Sequence, residues 1–163
     1  GLWTVSGANI NRPSGNVGIG VASPAQKLEV LGNVKATAFI STSDRRLKRN
    51  IATVDGIEKV LKLRGVEFDW RANGEHEIGL IAQEVEAVYP DLVVTDPNTG
   101  YKAVKYSSLV SPLIEATKDL YGMCKAHDAQ IKRLQAENAA LKAKNQELES
   151  RLEAIERHLG LSK

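Results

Sequence analysis

Cysteine is almost absent. Cys124 stands alone in 163 residues, so no disulfide can close within the chain and no cysteine-rich zinc site can be built. Aromatic residues make up only 5%, little for a large packed core. No apolar run approaches the roughly 18 residues that read as a membrane span. Neither charge dominates: 22 Lys and Arg face 20 Asp and Glu, a net charge of +2, which gives no global pull toward nucleic acid or membrane. Methionine occurs once, at Met123, so the expectation is that Gly1 is no translation start and the sequence is a piece of a longer chain. Ala, Lys, Glu and Leu are plentiful, which argues for one long helix.

Three segments with different patterning follow. Residues 1–42 hold six of the 13 glycines and few helix formers. Short alternating runs (Val17 and Ile19; Leu28 and Val30; Val34, Ala36 and Ala38) sit between Gly, Asn and Pro turns, which predicts short strands. They are too thinly apolar to bury a core alone and need partners, as the end of a β-structured stalk would. The run Gly15–Gly20 lacks the Lys-Ser/Thr ending of a phosphate loop and the glycine order of a dinucleotide fingerprint. It reads as turn chemistry.

Residues 43–112 predict a compact α+β unit. Val60–Leu63 and Val66–Trp70 flank Gly65 as a strand region. Ile78–Tyr89 has apolar residues at helical spacing (81, 85, 88) and stops at Pro90. Leu92–Val94 and Tyr101–Val104 flank Asp96-Pro97-Asn98-Thr99-Gly100 and predict a hairpin. Charge is split here. Arg45, Arg46, Lys48, Arg49, Lys59, Lys62 and Arg64 crowd the first part; between Arg71 and Lys102 there are acidic residues and no Lys or Arg. Opposite blocks favour packing on each other, within a chain or between neighbours. The basic cluster lacks the aromatic interleaving of a nucleic-acid surface.

Residues 113–163 carry a heptad seam: Leu113, Thr117, Leu120, Cys124, His127, Ile131, Leu134, Asn138, Leu141, Asn145, Leu148, Leu152, Ile155 and Leu159 are spaced strictly four and three apart. With Ile131 at a, the g-to-e pairs Glu137–Lys142, Lys144–Glu149 and Arg151–Glu156 are all opposite in sign, as a parallel, in-register assembly of identical chains requires. Asn138 and Asn145 at a fix register without separating dimer from trimer. Cys124 and His127 read as weak seam positions rather than metal ligands, and no metal or cofactor is expected.

The junction Ser41-Thr42-Ser43-Asp44-Arg45-Arg46-Leu47-Lys48-Arg49-Asn50 admits two readings. In the structural one, Ser43 or Asp44 caps a short helix. In the chemical one, Ser43 is a nucleophile served by Lys48 as base, with neighbouring arginines or burial disfavouring the ammonium. Five residues along an ideal helix turn about 140°, so the pair shares no helical face. Either Ser43 sits in a bend before the helix, or the lysine comes from another chain.

The string Ser-Asp-Arg-Arg-Leu-Lys-Arg-Asn-Ile resembles the opening of the C-terminal intramolecular chaperone, auto-processing domain of phage tail spikes and tail fibres, also found on bacterial surface fibres. Phe68-Asp69-Trp70, Gly79–Val85, Tyr89–Val93, Tyr106 with Leu109, and Pro112–Ala116 follow in the family's order, over about residues 37–120. Even Asn16–Gly20 and Gly32-Asn33-Val34 are similar to the stalk repeats that precede this domain. The resemblance implies an intertwined homotrimer: the end of a fibre stalk (1–42), a chaperone unit (43–112), and a C-terminal helix and parallel coiled coil (113–163). It implies a single-turnover serine peptidase with a Ser43–Lys48 dyad, supported by Asp44, that folds the upstream fibre and then cuts itself off. The scissile bond is Thr42–Ser43, which the Ser43 hydroxyl reaches through a five-membered ring, or Ser43–Asp44 attacked in a neighbouring chain. The partners are then two further copies and the upstream segment, with no nucleic acid and no membrane, on a virion tail or a bacterial surface. His76 reads as a solvated loop residue.

Two rivals stand beside this reading. One is a non-cleaving trimerisation cap, with Ser43 only a helix cap. The other is a DNA-binding factor, since related processing domains occur in a eukaryotic membrane-tethered transcription regulator; the Gly-rich amino-terminal segment argues against it. No carboxylate pair suited to glycoside hydrolysis is present.

Overall fold

A computed structural model describes residues 4–6, 9–12 and 14–160. Among the described residues there are four two-stranded sheets, two short helices and one very long one, and no sheet joins more than two strands. At the amino end, β1 (Thr4–Ser6) pairs antiparallel with β2 (Asn9–Asn11). The runs at Val17 and Leu28 become β3 (Val17–Ile19) and β4 (Leu28–Val30), which pair in parallel with Val17 opposite Leu28 and Ile19 opposite Val30. Parallel strands usually need a crossover of about a dozen residues. The shorter link here turns back at Gly20, whose φ is 74°, and is pinned by Asn16 Nδ2 donating to Pro24 O (2.8 Å) and Ala25 N donating to Glu29 (2.6 Å).

Residues 33–54 then run as an exposed arm whose only regular element is the 3-10 turn Arg45–Leu47. The alternation at Val34, Ala36 and Ala38 predicts a strand; the chain forms none there. Period two marks a segment fit for pairing, and the chain supplies it no partner strand.

The next unit departs from its sequence reading in two places. Val60–Leu63 is not a strand: α1 (Ile57–Val60) ends there in a turn. Tertiary packing overrides the β-branched propensity, because Gly56 lies against the long helix α3 (Val110–Leu159) and Ile57 N donates to Asp119 Oδ2 (3.0 Å). Ile78 is not helical either. β5 (Val66–Asp69) pairs antiparallel with β6 (His76–Gly79), placing Ile78 opposite Glu67. The helix α2 is only Ala82–Val88 and ends at Tyr89, before Pro90. The expected hairpin is present, β7 (Val93–Thr95) with β8 (Lys102–Val104), turned at Gly100. Arg64 bridges to Glu84 on α2 (2.5 Å), and Lys102 bridges to Glu86 (2.7 Å). The split charges therefore meet in part within one chain.

The core is small. Among the described residues, the buried hydrophobics are Val85 on α2, Leu109 in the turn Tyr106–Leu109, and Ala116 on α3 where Gly56 packs. α3 has 50 residues, about 75 Å at 1.5 Å per residue, and closes on Gly160 in the left-handed conformation (φ 69°). In the single chain its seam is exposed: Ile131, Leu134, Leu141, Leu148, Leu152, Ile155 and Leu159 all face solvent. The accessible surface is 14258 Å² for 17.7 kDa, whereas a folded monomer of that mass exposes about 7,900 Å².

Candidate functional site

The site is built by six residues of the arm. Asp44 is extended (φ −63°, ψ 134°) and caps the 3-10 turn, its carboxylate accepting from the backbone N–H of Arg46 (2.8 Å). The Arg46 guanidinium folds back onto the same carboxylate at 3.0 and 2.7 Å and holds Asp44 below the usual aspartate range. Leu47 N donates to Asp44 O (3.1 Å) and Lys48 N to Arg45 O (3.0 Å), which closes the turn. Chain direction therefore reverses between Ser43 and Lys48.

The consequence is a direct contact. Lys48 Nζ lies 2.6 Å from Ser43 Oγ and donates to it. The bend in front of the helix, rather than a second chain, brings the pair together. Ser43 makes no cap; Asp44 does. Thr42 is exposed beside it and lies in no regular element. Ser43 has no positive φ. Among the described residues, Asn50, seven positions on, is the non-glycine residue in the left-handed region (φ 52°), and it redirects the chain after the turn.

Both members of the pair are exposed in the single chain. This geometry supplies alignment but not the burial a lysine base needs. The residue missed by sequence reasoning is Arg46, read as one cation of a cluster and found as the clamp of Asp44. Its signal was available: an aspartate cap two residues before an arginine. His76 is also placed differently from its reading. It lies on β6, with Nδ1 2.9 Å from Asp69 Oδ1 across the hairpin. Of the g positions that flank the seam, Glu137 and Arg151 make pairs within their own helix, with Arg133 (3.7 Å) and Glu147 (4.0 Å).

Residues 43–94 match the family model for the chaperone of endosialidase. The match starts at the serine of the turn and runs through β7, so it contains the Ser43–Lys48 pair, the β5–β6 hairpin and α2. It supports a chaperone role for this part of the chain, and the family carries a peptidase designation. A curated relative, the myelin regulatory factor homolog 1 of Caenorhabditis elegans, is 38% identical over 81 residues, which is 41% of this chain. The matched part spans 9% of that relative.

Proposed function

We propose that this chain is an intramolecular chaperone that brings three copies together, registers the folding of the segment upstream of it, and then releases itself by cutting at Ser43. The observation that carries the reading is the 2.6 Å contact between Lys48 Nζ and Ser43 Oγ across a capped turn, at the start of the stretch that matches the chaperone family.

The reaction runs through the chain's own atoms. Lys48, desolvated by neighbouring copies and beside Arg45 and Arg49, gives up its proton and then takes that of the Ser43 hydroxyl. Ser43 Oγ attacks the carbonyl carbon of Thr42, the Thr42–Ser43 C–N bond breaks, and the departing amine takes the proton from Lys48. The product is an ester between Thr42 and the Ser43 oxygen. Water hydrolyses it to a Thr42 carboxylate and a Ser43 amino terminus. The turn orients the nucleophile against its base, which is the part of catalysis that positioning supplies.

The purpose is kinetic. A β-structured stalk forms slowly because chain registration precedes its long-range pairing. Parallel heptads hold the copies in register and raise their effective concentration, and removal of the template afterwards leaves a fibre that resists refolding and unfolding alike. The Gly-rich rung of β3 and β4 favours a fibre as the upstream cargo, on a virion tail or bacterial surface. A similar segment occurs in the regulatory factor homolog, so the family likeness by itself does not fix the cargo. Ser43→Ala is the test: the freshly folded variant should run as one uncut band where wild type gives two, and continued cutting would leave the chain a trimerisation cap with no use for the serine.

A further inference from the structure

Two apolar surfaces of this chain lack a partner, and neither belongs to the heptad seam. The first is the arm. Phe39 is 75% exposed, Ile40 94%, Leu47 74% and Ile51 57%. Among the described residues, positions 33–43 make no backbone hydrogen bond and belong to no helix or strand, so their N–H and C=O groups are open to a partner. The second is a groove of about 730 Å³ between the β5–β6 hairpin, α2 and β8, lined by Phe68, Trp70, Ile78, Ile81 and Tyr106. Its walls are set in place beforehand. Phe68 and Trp70 pack edge to face at 5.2 Å, Tyr106 Oη accepts from Leu80 N at 2.9 Å, and Gly79 leaves the floor open where a Cβ would meet the Tyr106 hydroxyl. Preorganised aromatic side chains left in water are the usual anchors of an interface.

Charge says which occupant fits. The arm around Ser43 is basic, and Arg45 and Arg49 make no ion pair among the described residues. The groove side is acidic: Glu77 lines it with a carboxylate bonded only to the Trp70 indole N–H (2.6 Å), and Glu75 lies at the hairpin end. Lys102, the cation in the lining, is already tied to Glu86. The arm in its own chain stays out of the groove. Parallel, in-register helices would set the chaperone units of neighbouring copies side by side, at an effective concentration of about millimolar.

We propose that the arm, residues 33–54, of one copy docks in the Phe68–Trp70–Ile78–Tyr106 groove of a neighbouring copy and thereby removes the Ser43–Lys48 pair from water. The inference rests on the self-association proposed above and specifies the surfaces that meet. It also explains why a dyad aligned in a single chain would wait for assembly. Leu47 sits inside the turn that holds the dyad, so its insertion carries Ser43 and Lys48 to the groove rim.

The test is a photo-crosslink in mixed copies. Heavy- and light-isotope chains carrying Ser43→Ala, which keeps the arm in one piece, are folded together with p-benzoylphenylalanine in place of Phe39 or Leu47. Docking predicts adducts on residues 66–83 or 101–106 that join a heavy chain to a light one. Adducts confined to one isotope, or falling elsewhere, overturn it. Light scattering on the same sample separates the two levels. An oligomer with misplaced adducts removes the docking and leaves self-association standing; a single molecule removes both. A second readout uses Phe39→Asp in the cleaving chain, a change in an exposed residue outside the turn that holds the dyad. Cutting should slow at least tenfold, and an unchanged rate would refute the link between docking and the dyad.

Discussion

At the scale of the residue, what matters is one hydroxyl and the groups that aim it. Ser43 and Lys48 meet because Asp44 caps the turn between them and Arg46 locks Asp44 with two guanidinium contacts. Lys48→Ala removes the proton acceptor and should abolish cutting in a chain that still assembles, read by intact mass; normal cutting would leave Lys48 a structural contact. Asp44→Ala should act differently. It touches no reacting atom, so its loss loosens the turn and slows cutting by about 10- to 100-fold, the range that a misplacement of about 1 Å produces, without abolishing it. The residues Ser43 and Lys48 were singled out by residue type and by the family resemblance, and the cap was narrowed to Ser43 or Asp44. The geometry of the pair was not legible. Helical spacing puts Ser43 and Lys48 on different faces, and only a short turn flanked by extended residues folds them together.

Among the elements, the legible ones are those whose local pattern and tertiary setting agree. The β7–β8 hairpin announces itself through Asp96–Gly100, and α3 through its heptads. Val60–Leu63 and Ile78 were misread because a neighbour decides them: α3 receives Gly56 and Ile57, and Ile78 pairs across to Glu67. Gly56→Ala tests the first of these. A Cβ there would lie 2.7 Å from Ala116 N on α3, so the substitution should cost about 1–3 kcal/mol, seen as a lower unfolding midpoint. The Arg64–Glu84 bridge makes a pH prediction. Arg64 holds Glu84 below the usual glutamate range, so its contribution is present above about pH 4.5 and lost as pH falls through the lowered value. Both side chains are well exposed, so the effect is small. Glu84→Gln should be slightly less stable than wild type at pH 7 and indistinguishable from it near pH 2; a gap that persists in acid would assign the cost to packing instead.

For the whole molecule, the governing quantity is unburied surface. A 17.7 kDa chain exposing 14258 Å², against about 7,900 Å² for a folded monomer, carries its seam, its arm and its aromatic groove in water. The sequence showed this in outline, through weak strands that need partners and a helix patterned for company; which surfaces meet is a matter of three-dimensional juxtaposition. The proposed function follows from joining the two levels: alignment of Ser43 and Lys48 within one chain, and desolvation supplied by others. Cutting must then depend on assembly. The most direct measurement is native mass spectrometry of freshly synthesised chains over time and at successive dilutions. The account predicts that uncut oligomer appears first, that cut species arise from it, and that dilution below the assembly threshold stops cutting. Cut single chains, formed at a rate independent of concentration, would contradict it.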